Sequence, residues 1–183
     1  LDVSENQLSK LPDSIGQLAA LEEISCSFNE LESLPASIGR LKGLKYLDLR
    51  SNQLEELSQC LGQLTALTNM NISSNKLTKL PEWLGQLKAL KYLDLSTNQL
   101  DKLPESFGQL TSLREVFLCC NQLTKLPECL GQLTALQHIF LSMNQLESLP
   151  AAIAQLKGLK CLNLRSNCLR SLPASIGQLT VLT

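Results

Sequence analysis

The sequence predicts an α/β right-handed solenoid of horseshoe type, with parallel strands on its concave face and short helical or 3-10 turns on its convex face. Three observations predict it. Asparagine recurs at positions 6, 29, 52, 75, 98, 121, 144 and 167, each step being 23 residues. A fixed period sustained over eight copies marks a stack of like units. Each copy also joins a strand-like half to a turn-like half, as in "LKYLDLSTNQLDKL" (90–103) followed by "LPESFGQL" (103–110). Finally, 44% of residues are hydrophobic but only 4% aromatic, so the core must be aliphatic.

The first half of each unit is a strand. In the copy around Asn98, Leu93 and Leu95 stand two apart with Asp94 between them. That alternation sends Leu93 and Leu95 to a core and Tyr92, Asp94 and Ser96 to the opposite face. Asparagine follows, where the strand ends and the chain turns inward. A buried asparagine must satisfy its carbonyl and both N–H groups. Stacked 23 residues apart, Asn6, Asn29, Asn52, Asn75, Asn98, Asn121, Asn144 and Asn167 can bond the turn backbones of adjacent coils as a ladder. The second half is a turn: Pro104 restricts the backbone, and Gly108 is expected to permit a tight turn before Leu110. One coil cannot bury its own leucines. Stacked coils bury them continuously, with strands roughly 4.8 Å apart.

The motif LxxLxLxxNxLxxLPxxIGxL, carried by segments such as "LPDSIGQL" (11–18) and "LPASIGQL" (172–179), resembles the leucine-rich repeat proteins over the whole chain. The 23-residue LPxxIG version is similar to the intracellular class of Ras-pathway scaffolds, leucine-rich repeat–PDZ scaffolds and plant Ras-group proteins. Repeat-bearing effectors that bacteria inject into host cells look similar. The resemblance implies a protein-binding horseshoe whose ligand sits on the concave strand face.

One domain, residues 1–183 with eight repeats, is expected. No polar capping unit is visible at either end, so the sequence reads as a segment of a longer protein. Bare end coils would be expected to stick to one another. A net charge of −1 gives no reason to expect nucleic acid or an anionic membrane as partner. No apolar run is long enough to span a bilayer, and no signal-peptide pattern opens the chain. Seven scattered cysteines, with no CxxC, suit free thiols in a reducing cytoplasm.

Two turns depart from the pattern. Ser58 stands where the other copies have proline, and Ala154 where the others have glycine. Ala154 requires a turn without positive φ, or mild strain. Neutral drift accounts for both.

The outward strand positions form columns. Between the two core residues of each strand lie Asp2, Ser25, Asp48, Asn71, Asp94, Phe117, Phe140 and Asn163. Six are small and polar; two neighbours are phenylalanine. Phe117 and Phe140 are expected side by side, with His138, Cys119, Cys120 and Met143 around them. Tyr92 and Tyr46 extend the patch, and Arg114, Glu115 and Arg165 give it a charged rim. A cluster of exposed aromatic and sulfur groups has the character of a binding hot spot. The alternative is cross-strand packing with no ligand.

Chemistry has little to work with. His138 is the only histidine, and the columns place Cys161 beside it. An open face with no evident oxyanion donors or third member argues against a nucleophilic pair, and three or four convergent ligands for a metal are lacking. No catalytic residue, metal or cofactor is expected. Trp83, like Cys60 and Cys129, falls in a turn and reads as packing. The sequence therefore points to a non-catalytic protein–protein interaction module, which by resemblance would be part of a cytoplasmic signalling scaffold. The alternatives are the repeat domain of a bacterial effector acting in a host cytoplasm, and a structural segment that self-assembles through its ends.

Overall fold

The computed structural model describes residues 1–183. Seven strands, β1 (Glu23–Ser25), β2 (Tyr46–Asp48), β3 (Asn69–Asn71), β4 (Tyr92–Asp94), β5 (Glu115–Phe117), β6 (His138–Phe140) and β7 (Cys161–Asn163), form one parallel sheet in chain order. Asp2 adds a parallel bridge to Ser25 at its edge. Register is uniform, each residue pairing with the one 23 places on, as in Phe117 with Phe140. Five-residue 3-10 turns alternate with the strands, from Asp13–Gln17 to Ala174–Gln178.

Seven of the eight 3-10 turns start at a proline whose φ lies between −63° and −78°, the range its ring imposes. Each is closed by a leucine N–H donating three residues back, as from Leu87 to the Leu84 carbonyl at 3.1 Å. Ser58 holds the same backbone at φ −61° without the ring.

The core is one cluster of 44 buried residues running the length of the stack. Ile24, Leu47, Met70, Leu93, Val116 and Ile139 occupy one column of it, all 1% exposed or less. Phe107 is the largest fully buried side chain. The outermost coils cover less: Leu1, Leu18, Leu172 and Val181 are exposed. No helix is long and apolar enough to cross a membrane.

Asparagine joins each coil to the one before it. Asn98 Oδ1 accepts from the Leu77 N–H at 3.0 Å, while its Nδ2 donates to the Ile72 carbonyl at 3.0 Å and the Leu95 carbonyl at 3.1 Å. Asn29, Asn52, Asn75, Asn121, Asn144 and Asn167 repeat this arrangement. The Asn6 side chain bonds only within its own coil, to the Val3 and Ser4 carbonyls.

Two expectations are corrected. The turn glycines do not supply conformational freedom, because none has positive φ. Gly16, Gly39, Gly85, Gly108 and Gly131 are needed for close approach: a Cβ on Gly85 would stand 2.6 Å from the Ser106 carbonyl oxygen of the next coil. Nor are the residues before each asparagine strand positions. Glu5, Phe28, Ser51, Ser74, Thr97, Cys120, Met143 and Ser166 are all left-handed, with φ of 53–58°. No glycine marks them. All but Ser166 donate their N–H to a carbonyl of the next coil, as Cys120 does to Ser142 (2.9 Å), and in that coil Asn121 N also donates to the Met143 carbonyl (3.2 Å).

Candidate partner-binding face

The outward column of the sheet is mostly a set of turn caps. Asp2, Asp48, Asn71, Asp94 and Asn163 each accept, through Oδ1, the backbone N–H two residues on, at 2.9–3.1 Å. These short polar side chains fix the exit from the strand. Phe117 and Phe140 have no acceptor, so their coils do without that bond.

In its place is an aromatic stack. The Phe117 and Phe140 rings lie 4.5 Å apart and nearly parallel, at 8°. Tyr92 leans on Phe117 at 5.3 Å and 44°. The three rings bridge β4, β5 and β6 and remain only half-buried. Such contacts contribute roughly 0.5–1.5 kcal/mol per pair beyond burial. Burial pushes the Tyr92 hydroxyl up to about 12, with Asp94 and Glu115 adding to the shift.

The sulfur groups sit past the strand ends. Cys120 and Met143 occupy the left-handed positions, where the Cys120 thiol donates to Met143 Sδ at 3.5 Å. Met143 is 59% exposed. Cys119 accepts from Ser142 Oγ at 3.2 Å. His138 is flanked by Glu115, with Nδ1 3.7 Å from Oε1, and by Cys161, its register partner. Glu115 thus provides the carboxylate neighbour that sequence reading did not foresee, although Cys161 makes no hydrogen bond to the imidazole. Arg114 and Arg165 are exposed at the margin, neither of them in an ion pair.

Tyr46 lies apart from the stack, on β2. Its hydroxyl donates to Asp48 Oδ2 at 3.5 Å, and burial, reinforced by Asp48, raises its pKa. Tyr46 and Tyr92 wall a hollow of about 250 Å³ floored by Asn69 and Asn71. Sequence reading missed one aromatic: Phe28, 47% exposed, with the Arg50 guanidinium 5.2 Å above its ring. It stands at a left-handed position, in the column of Cys120 and Met143, where no other aromatic residue accompanies it. No three histidine, cysteine or acidic side chains converge as metal ligands. Trp83 packs, partly buried, against the core, as does Cys60.

Three family models match the chain: a leucine-rich repeat region over residues 58–144, and leucine-rich repeats over 21–77 and 158–179. The chain is a leucine-rich repeat protein. No curated protein matches it. Among solved structures it is similar to a leucine-rich repeat protein of Leptospira interrogans, at 40% identity and TM-score 0.98 over all of this chain and 47% of that one. It is similar to the plant peptide hormone receptor RGFR1 in complex with RGF2, at 32% identity and TM-score 0.87 over all of this chain and 31% of that one. An internalin of Listeria monocytogenes matches at 26% identity and TM-score 0.84, over all of this chain and 52% of that one. The leucine-rich repeat chain here spans about half or less of these solved chains. Such repeat domains generally mediate protein–protein interaction and are typically non-catalytic.

Proposed function

We propose that this protein is a non-catalytic binding module of the intracellular LPxxIG type, which holds a protein partner on its strand face as part of a cytoplasmic signalling scaffold. The observation that carries the reading is the pair Phe117 and Phe140. These two coils give up a turn-capping bond and present stacked, half-buried rings instead. A surface aromatic cluster rimmed by exposed arginines is where binding energy concentrates. The peptide-bound plant receptor supports the use of this architecture for recognition. The Leptospira neighbour favours a second reading, in which a bacterium delivers the same module to a host cytoplasm.

The test is the double variant Phe117→Asp/Phe140→Asp in a pull-down from cell lysate beside the wild type. Aspartate at these positions restores the acceptor that Asp48 and Asp94 provide, so the fold should survive. Partner affinity is expected to fall at least about 30-fold, as for removal of a hot spot worth 2 kcal/mol or more. Equal capture by both proteins, with unchanged circular dichroism, would reduce the rings to cross-strand packing.

A further inference from the structure

A groove runs along the flank of the stack, between the strand side and the 3-10 turns of three consecutive coils. Its floor is Leu80, Leu103 and Leu126 with Pro104 and Pro127, and its volume is about 530 Å³. One rail carries Lys79, Lys102 and Lys125; the other carries Glu82, Glu105 and Glu128. All six side chains are exposed, and none is in an ion pair. The rails are held differently. Glu82 and Glu128 are fixed by accepting the Ser106 and Ala152 backbone N–H groups of the next coils, each at 3.1 Å. The lysine ammonium groups have no hydrogen-bond partner in the chain.

The same two positions are Ser33 and Ala36, Glu56 and Gln59, Ser148 and Ala151, and Ser171 and Ala174 in other coils; only Lys10 and Asp13 repeat the charges. In the middle coils, then, two columns of opposite sign stand one coil apart in step, with an apolar strip between them. Stacked like charges repel along each column. Both columns would be neutralised by a surface bearing the opposite column at the same repeat, and this chain has such a surface.

We propose that this flank binds a second copy of the chain. The two solenoids lie side by side and parallel, about a two-fold axis along the leucine strip. That operator sets Lys79, Lys102 and Lys125 of each copy against Glu82, Glu105 and Glu128 of the other, an isologous contact in which every pair occurs twice. A two-fold axis across the strip would set lysine on lysine. An extended peptide matches the rails less well. Its alternate side chains advance by roughly 6.6 Å, whereas stacked coils advance by about 4.8 Å, so it drifts out of step within three coils. The contact is electrostatic at its rails, which makes it salt-sensitive, and it leaves the strand face open. The inference does not depend on the function proposed above.

Sedimentation velocity tests it. The wild type should sediment as a dimer in about 0.01 M salt, where charges act over about 30 Å, and as a monomer in about 1 M salt, where they act over about 3 Å. Lys79→Glu/Lys102→Glu/Lys125→Glu should be monomeric in both, as should Glu82→Lys/Glu105→Lys/Glu128→Lys. An equimolar mixture of the two should recover a low-salt dimer. Because the second triple removes two backbone caps, the single pair Lys102→Glu and Glu105→Lys, mixed in the same way, serves as the milder version. A wild type monomeric at low salt, a dimer unaffected by lysine reversal, or mixtures that stay monomeric would each overturn the proposal. So would salt-insensitive, open-ended oligomers, which would point to the end coils instead. A monomeric wild type that binds a peptide of alternating lysine and glutamate would assign the groove to a different chain.

Discussion

At the scale of the residue, one position per coil decides between a backbone cap and an aromatic stack. Asp48 and Asp94 cap the strand exit; Phe117 and Phe140, at the equivalent place, form a stack. A second residue contrast concerns the core. Cys26 is fully buried in a column otherwise filled by Leu49, Ile72 and Leu95. Burial pushes its thiol from 9.0 up to about 11, with Asp2 and Asp48 adding to the shift. The unfolded thiol therefore loses its proton first. Between pH 9 and 11 the folded state binds more protons than the unfolded state, and stability falls as pH rises across that window. Tyr92, raised by burial from 10.0 to about 12, extends the fall to higher pH. Urea unfolding midpoints measured below pH 9 and at pH 11 should show the loss, and Cys26→Val should reduce it. An equal loss in the valine variant would assign the whole effect to other groups.

At the scale of the element, the order of strand, asparagine, proline and 3-10 turn was legible because the same side chains recur in every coil. Leu93 and Leu95 around Asp94 give the strand, and Pro104 gives the start of the turn. The left-handed residue before each asparagine was not legible. Its occupants range from Glu5 to Phe28, Thr97 and Met143, so no residue type signals it. In seven of the eight coils the conformation goes with a hydrogen bond from its N–H to the next coil, which local sequence cannot show. Phe28 and its cation–π contact with Arg50 were not singled out, because no other aromatic shares its column, whereas Phe117 and Phe140 are neighbours in theirs. The turn glycines misled in the opposite direction: the residue was legible, but its reason was the approach of the next coil's carbonyl. The one turn without proline offers a test. Ser58 already has φ −61°, its N–H donates no backbone hydrogen bond, and its hydroxyl contacts only Cys60 Sγ, at 3.0 Å. Ser58→Pro should stabilise the protein by roughly 0.4–1 kcal/mol by restricting the unfolded chain. A higher urea midpoint with unchanged slope is the expected result; destabilisation would mean that Leu57 cannot accept the proline ring.

At the scale of the whole molecule, the stack holds together through nearest-neighbour contacts, and the asparagine ladder forms a polar part of each. Asn98 is 8% exposed, and the Leu77 N–H and Ile72 carbonyl that it satisfies belong to fully buried residues of the preceding coil. Asn98→Ala leaves the Leu77 N–H without a partner, at about 1–3 kcal/mol, while the Ile72 carbonyl keeps its bond from Asn75 Nδ2 at 3.2 Å. Asn6→Ala removes bonds only within an exposed edge coil and should cost less than about 1 kcal/mol. The difference concerns cooperativity as well as stability. A one-dimensional stack unfolds as a unit only while each interface is strong compared with the coils it joins. Weakening the interface beneath Asn98 should let the two halves unfold separately. Trp83, the only tryptophan, lies in the coil before that interface and reports on the N-terminal half. In the wild type and in Asn6→Ala, Trp83 fluorescence and circular dichroism should trace one urea transition. In Asn98→Ala the two probes should separate. Coincident curves in that variant would show that the leucine core alone couples the coils, and that the ladder fixes register without carrying cooperativity.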